Sequence, residues 1–205
     1  MHLRRYTAKM PDKFSVPQVT DIPDIVTSVR NAVLSEIMNG TPVHAVSVAA
    51  VARLAGIHET SVYRRWKTRE RMILDALTTR SEASLVVPDH GSLREDLTDL
   101  MKQACDYLGS PVGRSLLQMS VAAADNPAAS EARRLYFDTR LRAMEPVVER
   151  AITRGEVQSG IAAIDVLEPL FATIQMRVVL TGRPITPDLP EKLVSVVVDG
   201  VLSDS

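Results

Sequence analysis

Residues 47–72, SVAAVARLAGIHETSVYRRWKTRERM, constrain the fold of this chain more than any other stretch. Val48, Val51, Ala52 and Ala55 recur at i, i+3, i+4 and i+7, the spacing that lays one apolar stripe along a helix. Residues 47–55 are therefore a helix with one buried face. Ser47 is its N-cap, with a hydroxyl that can accept from the orphan N–H groups of the first turn, and Gly56 ends it because glycine tolerates positive φ. After a turn through Gly56, Ile57 and His58 a second helix begins. It brings Val62 and Trp66 onto one face and Thr60, Tyr63, Arg64 and Lys67 onto the opposite one. Thr68 then caps a third helix.

Two short helices about a tight turn, one side core and the other hydroxyl, phenol and cation, form a helix-turn-helix. In such a unit the second helix offers its N-terminal residues to base edges in the major groove. The polar face has the chemistry for that task. Tyr63, Lys67 and Arg69 are expected to hold phosphates, and Glu59, Thr60 and Arg64 to face the bases or the groove edge. Ser47, where the first helix starts, is counted with them. The plainer reading of the same pattern is a helical hairpin with a solvated basic face.

The run VARLAGIHETSVYRRWKTRERMI resembles the DNA-binding segment of the tetracycline-repressor (TetR) family. The resemblance rests on the Ala-Gly turn, on the aliphatic-Tyr-x-x-aromatic signature as Val62, Tyr63 and Trp66, and on the cation-acid pair Arg69 and Glu70 opening the next helix. Two positions depart from the family pattern: His58 stands where a Ser or Asp cap is usual, and Arg69 where Lys is usual. The segment RGEVQSGIAAIDVLEPLFATIQMRVVLTGRPITPDL also resembles the C-terminal domain of one group in that family, through its Arg-Gly-Glu break and closing Thr-Gly-Arg-Pro. The resemblance implies an all-α protein, with an N-terminal three-helix DNA-binding domain and a helical-bundle domain for ligand binding and dimerisation. It also implies a ligand-responsive transcriptional regulator, a repressor more often than an activator.

Charge distribution agrees with that division. The net charge of -1 hides an asymmetry: residues 1–80 carry a balance of +5 and the remainder -6, so the electrostatic footprint for DNA lies at the N-terminal end. Residues 1–20 form a basic arm with Arg4, Arg5, Lys9 and Lys13, residues 21–70 the helix-turn-helix domain, and residues 71–205 the second domain. The single cysteine, Cys105, excludes an intramolecular disulfide and any CxxC motif, which fits a reducing cytoplasm. The chain has no signal-peptide pattern and no run of 18 apolar residues, so no membrane partner is expected. The four histidines, His2, His44, His58 and His90, lack ligand spacing, and no GxSxG, HExxH, phosphate loop or GxGxxG is present. No catalytic residue, metal or cofactor is expected. A helical adaptor without DNA binding, or a helical enzyme using isolated carboxylates, stands as the alternative.

Further helices are expected at 24–39, 68–84, 93–108, 112–124, 128–154, 165–181 and 191–202, with Pro146 kinking or splitting the long one. The helix from Thr68 belongs to both domains and is the natural lever. The last two helices are apolar on more than one face, so they are expected to be covered by a second copy in a two-fold four-helix interface through Leu170, Val178, Leu193, Val197 and Val201. Met101, Cys105, Leu117, Phe137, Met144, Phe171 and Gln175 fall on inward stripes. They are the candidate lining for a small, largely apolar effector, although each would serve equally as plain core.

Overall fold

The computed structural model describes residues 24–122, 127–158 and 160–201, and the arm expected at 1–20 lies outside them. In chain order the helices are α1 (Ile25–Met38), α2 (Val48–Leu54), α3 (Glu59–Trp66), α4 (Arg69–Glu82), α5 (Leu93–Gly109), α6 (Pro111–Ala122), α7 (Pro127–Thr153), α8 (Ala163–Met176) and α9 (Leu189–Val201). A π-helical turn, Arg177–Thr181, extends α8. The fold is all-α, and no strand occurs among the described residues.

α1, α2 and α3 form the N-terminal unit. Val29, Val33 and Ile37 of α1 meet Val48, Val51 and Ala52 of α2 and Val62 and Trp66 of α3 in one buried cluster. α4 closes that cluster with Met72, Ile73, Ala76 and Leu77, all fully buried. The same helix then packs on α6, and α6 also touches α1, so two helices of the second domain support the first. α5 is the axis of the second domain and contacts α6, α7, α8 and α9. Its Leu97, Leu100, Met101 and Ala104 are wholly buried.

The joint between α5 and α6 has no loop. Ser110 bonds in both directions: its Oγ donates to the Tyr107 carbonyl (2.6 Å) and accepts from Gly113 N (3.1 Å). Pro111 follows as the first residue of α6, where its missing N–H costs nothing. Gly113 is there for lack of space, since a Cβ would lie 2.1 Å from the Tyr107 carbonyl oxygen.

Among the described residues two prolines lie in helix interiors, beyond the first turn. α7 runs unbroken through Pro146, so of the kink or split expected there the split does not occur, and α8 runs through Pro169. The Thr173 hydroxyl takes up the Pro169 carbonyl at 2.9 Å. α9 begins two residues before the expected start, with Pro190 absorbed into its first turn.

Candidate DNA interface and ligand cavity

The α2–turn–α3 unit is built as its sequence demands. Ser47 Oγ accepts from Ala50 N at 3.2 Å, and Gly56 takes φ +68° so that Ile57 N can reach the Ala52 carbonyl at 3.0 Å. His58 occupies the N-cap of α3 without a side-chain cap bond. Val62 and Trp66 are buried, while Glu59, Thr60, Tyr63, Arg64 and Lys67 are all exposed together with Ser47. Arg53, at the end of α2, adds an exposed cation that motif spacing did not single out.

What holds α3 in place is Asp75 of α4. Its carboxylate accepts a fork from Arg30 of α1, Nε at 2.9 Å and Nη2 at 2.8 Å, and a third bond from the Trp66 indole N–H at 3.0 Å. One acid thus ties three helices. The Arg30 bonds, aided by Trp66 and opposed by partial burial, hold the Asp75 carboxyl below its ordinary range, and Asp75 raises Arg30 in turn. Asp75 lies 45 residues from Arg30, so no local motif could reveal it.

Arg69 departs from its expected role. Its Nε donates to the Val46 carbonyl (2.5 Å), its Nη2 to the Val43 carbonyl (2.6 Å), and its Nη1 to Glu70 (3.0 Å). The loop between α1 and α2 has carbonyls that need donors, and the guanidinium supplies them. Arg69 is a strut of the N-terminal unit, its guanidinium taken up by loop carbonyls and Glu70.

Lys67 stands at φ +66°, ψ -41°, the only non-glycine residue at positive φ among those described. Thr68 N donates to the Trp66 carbonyl at 2.8 Å across it, which makes the α3–α4 joint a γ-turn. Its Nζ donates to the Arg64 carbonyl at 2.9 Å, a favourable place for a cation at a helix C-terminus.

In the second domain a cavity of about 210 Å³ opens among α4, α5, α6, α7 and α8. Phe137, Met144, Phe171 and Gln175 line it as expected. Met101, Cys105 and Leu117 do not: they are buried in the core, where the Cys105 thiol is pushed up to about 11 by burial. The cavity also has a polar wall that no sequence spacing marks. The Tyr136 hydroxyl of α7 donates to Ser81 Oγ of α4 in a short bond, and the Tyr107 hydroxyl of α5 donates to the Leu77 carbonyl of α4 at 3.4 Å. Burial pushes the Tyr107 phenol up to about 12, so it stays neutral. Arg140 of α7 lines the same wall, with Nε and Nη2 both buried and without a hydrogen-bond partner.

The residues expected at an interface between copies divide into three sets. Leu170 is wholly buried within the subunit, so it is core and offers no surface to a partner. Val178, Leu193 and Val197 are half-buried against that core, and the side chain of Val201 lies outside those described. The large apolar side chains exposed on α8, its π-helical extension and α9 are, among the described residues, Ile164 (37% exposed), Met176 (53%), Leu180 (76%) and Val196 (77%).

Fold and exposed surface together define a helix-turn-helix protein with an all-helical second domain. Comparison with known proteins supplies the family. The tetracyclin repressor-like C-terminal domain family matches residues 87–197. AqdR, an HTH-type transcriptional regulator of Rhodococcus erythropolis, is 37% identical over 155 residues, which cover 76% of this chain and 75% of AqdR. Mb1581, an HTH-type transcriptional regulator of Mycobacterium bovis, is 28% identical over 154 residues, 75% of this chain and 76% of that protein. The TetR family transcription regulator SCO0332 shares the fold with a TM-score of 0.73 at 22% identity, over 86% of this chain and 98% of that one. Bacillus subtilis FadR, solved with stearoyl-CoA, shares it with a TM-score of 0.63 at 14% identity, over 84% and 97%. The chain belongs to the TetR family of HTH-type, DNA-binding transcriptional regulators.

Proposed function

We propose that this regulator is a homodimeric repressor that binds an inverted-repeat operator and is released by a small, largely apolar molecule held in the cavity. It acts by binding rather than catalysis, in the cytoplasm where its DNA is. One observation carries the reading. α4 has cavity wall at one end, through Ser81, and the Asp75 clamp on the recognition helix further back along the same rod. A ligand that displaces the end of α4 must shift the support under Trp66, and α6, which presents Leu116 to the cavity and packs on α1 and α4, supplies a second route. The stearoyl-CoA bound to FadR supports the placing of an effector in this fold.

Tyr63 and Lys67 serve phosphates in this reading. Glu59, Thr60 and Arg64 face the bases, where Arg reads guanine and Glu accepts from cytosine. The division near residue 70 separates these roles from the effector's. Met176, Leu180 and Val196 supply the exposed apolar surface for a two-fold interface.

The test is selection of genomic fragments by the purified protein, followed by footprinting. The expected result is a two-fold repeat with half-site centres about 34–36 Å apart or a multiple of that. Fragments without two-fold symmetry would overturn the dimeric operator, and retention of none would favour the adaptor alternative.

A further inference from the structure

Arg140 is the feature of the cavity that an apolar effector leaves unexplained. Its Nε and Nη2 are sealed from solvent, carry N–H groups, and have no acceptor. A guanidinium cannot shed its proton to escape burial, so its unpaired donors remain a standing cost until an acceptor arrives. The two carboxylates that line the same cavity do not supply one. Asp138 is engaged by Arg134 at 3.0 Å, and Glu168 is exposed on α8. The rest of the lining is suited to an apolar body, with Leu116, Phe137, Met144 and Phe171 around the interior.

We propose that the effector is a small amphipathic carboxylic acid, its carboxylate received by the fork of Arg140 and its apolar body lying among Leu116, Phe137, Met144 and Phe171. This deepens the effector-release reading above and rests on it. A planar carboxylate matches the two neighbouring donors of a guanidinium, which a neutral alcohol cannot. Among the described residues Arg140 is the one cation of the lining and Glu168 adds a negative charge there, which disfavours a dianion. The volume of about 210 Å³ lies below the ~300–1,000 Å³ usual for drug-sized ligands, which points to a compact acid.

The position of the anchor also suits signalling. Arg140 follows Tyr136 by four residues on α7, so the two share a face, and Tyr136 is the residue whose hydroxyl bonds to Ser81 of α4. A carboxylate drawn to Arg140 settles beside the one side-chain hydrogen bond joining α7 to α4 among those seen here.

The experiment uses the full chain without DNA, titrated with octanoate against octan-1-ol and with phenylacetate against 2-phenylethanol. Binding is read by calorimetry and by the shift in Tm. Wild type should bind at least one acid ten-fold or more tightly than its alcohol. Arg140→Met should remove that preference, weakening the acid ten-fold or more and leaving the alcohol equal or tighter, while melting no lower than wild type because it removes a buried unpaired cation. Arg140→Lys, which keeps the charge but not the fork, should fall between. Equal affinity of wild type for acid and alcohol, unchanged acid binding in Arg140→Met, or no acid binding below millimolar concentration would each overturn the proposal. Failure here leaves operator binding by the wild type, measured separately in a gel, untouched; loss of that binding would instead fail the regulator reading.

Discussion

At the scale of single residues, Lys67 joins two demands that pull against each other. Its cation is wanted at a phosphate, but its backbone sits at φ +66°, where a side chain costs roughly 1–3 kcal/mol. Lys67→Ala and Lys67→Gly both remove the charge, and only the second relieves the backbone. Both should lower the salt slope of DNA binding by roughly one unit. Lys67→Gly should nevertheless unfold at higher urea than Lys67→Ala, by about 1 kcal/mol; equal stabilities would mean the γ-turn carries no strain.

Asp75→Asn tests the three-helix clamp. It keeps the shape and removes the charge that holds Arg30, and should cost about 1–3 kcal/mol at pH 7. The folded carboxyl titrates below its unfolded value of about 3.9, so its stabilisation is complete above that pH and is lost as pH falls through the lower folded value. Wild type should therefore lose more stability than Asp75→Asn between about pH 4 and pH 2, read from urea midpoints. Parallel curves would place the effect elsewhere.

The exposed face of α3 was legible because helical periodicity alone separates Thr60, Tyr63 and Arg64 from Val62 and Trp66, whereas Lys67, counted on that face, lies just past the helix at positive φ. The partners of Asp75 and Arg69 were not legible, since both reach across the fold to groups that no spacing connects. Arg69 shows the consequence: position in a motif named a cation, and only the loop carbonyls of Val43 and Val46 decided what it holds.

At the scale of elements, turn residues marked the helix ends well and their geometry poorly. The expected ranges 93–108 and 112–124 placed a break between α5 and α6, but did not show that the break has no loop or that Gly113 packs directly on Tyr107. A Cβ there meets backbone, which cannot swing away as a side chain can. Gly113→Ala should cost about 1–3 kcal/mol by overpacking. Because α6 leans on α1 and α4, it should also change DNA affinity. Ser110→Ala loses only the cap, about 1 kcal/mol, and should leave DNA affinity nearly unchanged. If the two variants weaken DNA binding equally, α6 is not a route to the recognition helix. Proline was ambiguous in the other direction: Pro146 announced a kink or a split, and α7 does not split there, while the π-helical turn Arg177–Thr181 had no sequence signal.

At the scale of the whole molecule, apolar periodicity identified α8 and α9 as needing cover but could not divide cover by the subunit from cover by a partner. Leu170 belongs to the first kind, and Val196, 77% exposed, is open to the second. Val196→Asp should give monomers that keep their helical content and bind DNA poorly, by sedimentation and circular dichroism. Val197→Asp, half-buried against the core, should also lower Tm. A Val196→Asp protein that sediments as a dimer removes the interface from that face of α9.

The cavity was half legible, because inward stripes found Phe137, Met144, Phe171 and Gln175 but could not tell the cavity wall from the solid core around Met101 and Leu117. Its polar members, Ser81, Tyr136 and Arg140, come together only where the Tyr136 hydroxyl of α7 bonds to Ser81 of α4. In the proposed mechanism that bond helps couple effector to DNA, and such coupling is reciprocal. The most direct measurement is calorimetric titration of the acid that binds most tightly, with and without saturating operator, alongside operator titrations with and without that acid. Operator should weaken the acid by the same factor by which the acid weakens operator, roughly 5- to 150-fold for a coupling of about 1–3 kcal/mol. Equal acid affinities in the presence and absence of operator would contradict the coupling through α4 and α6.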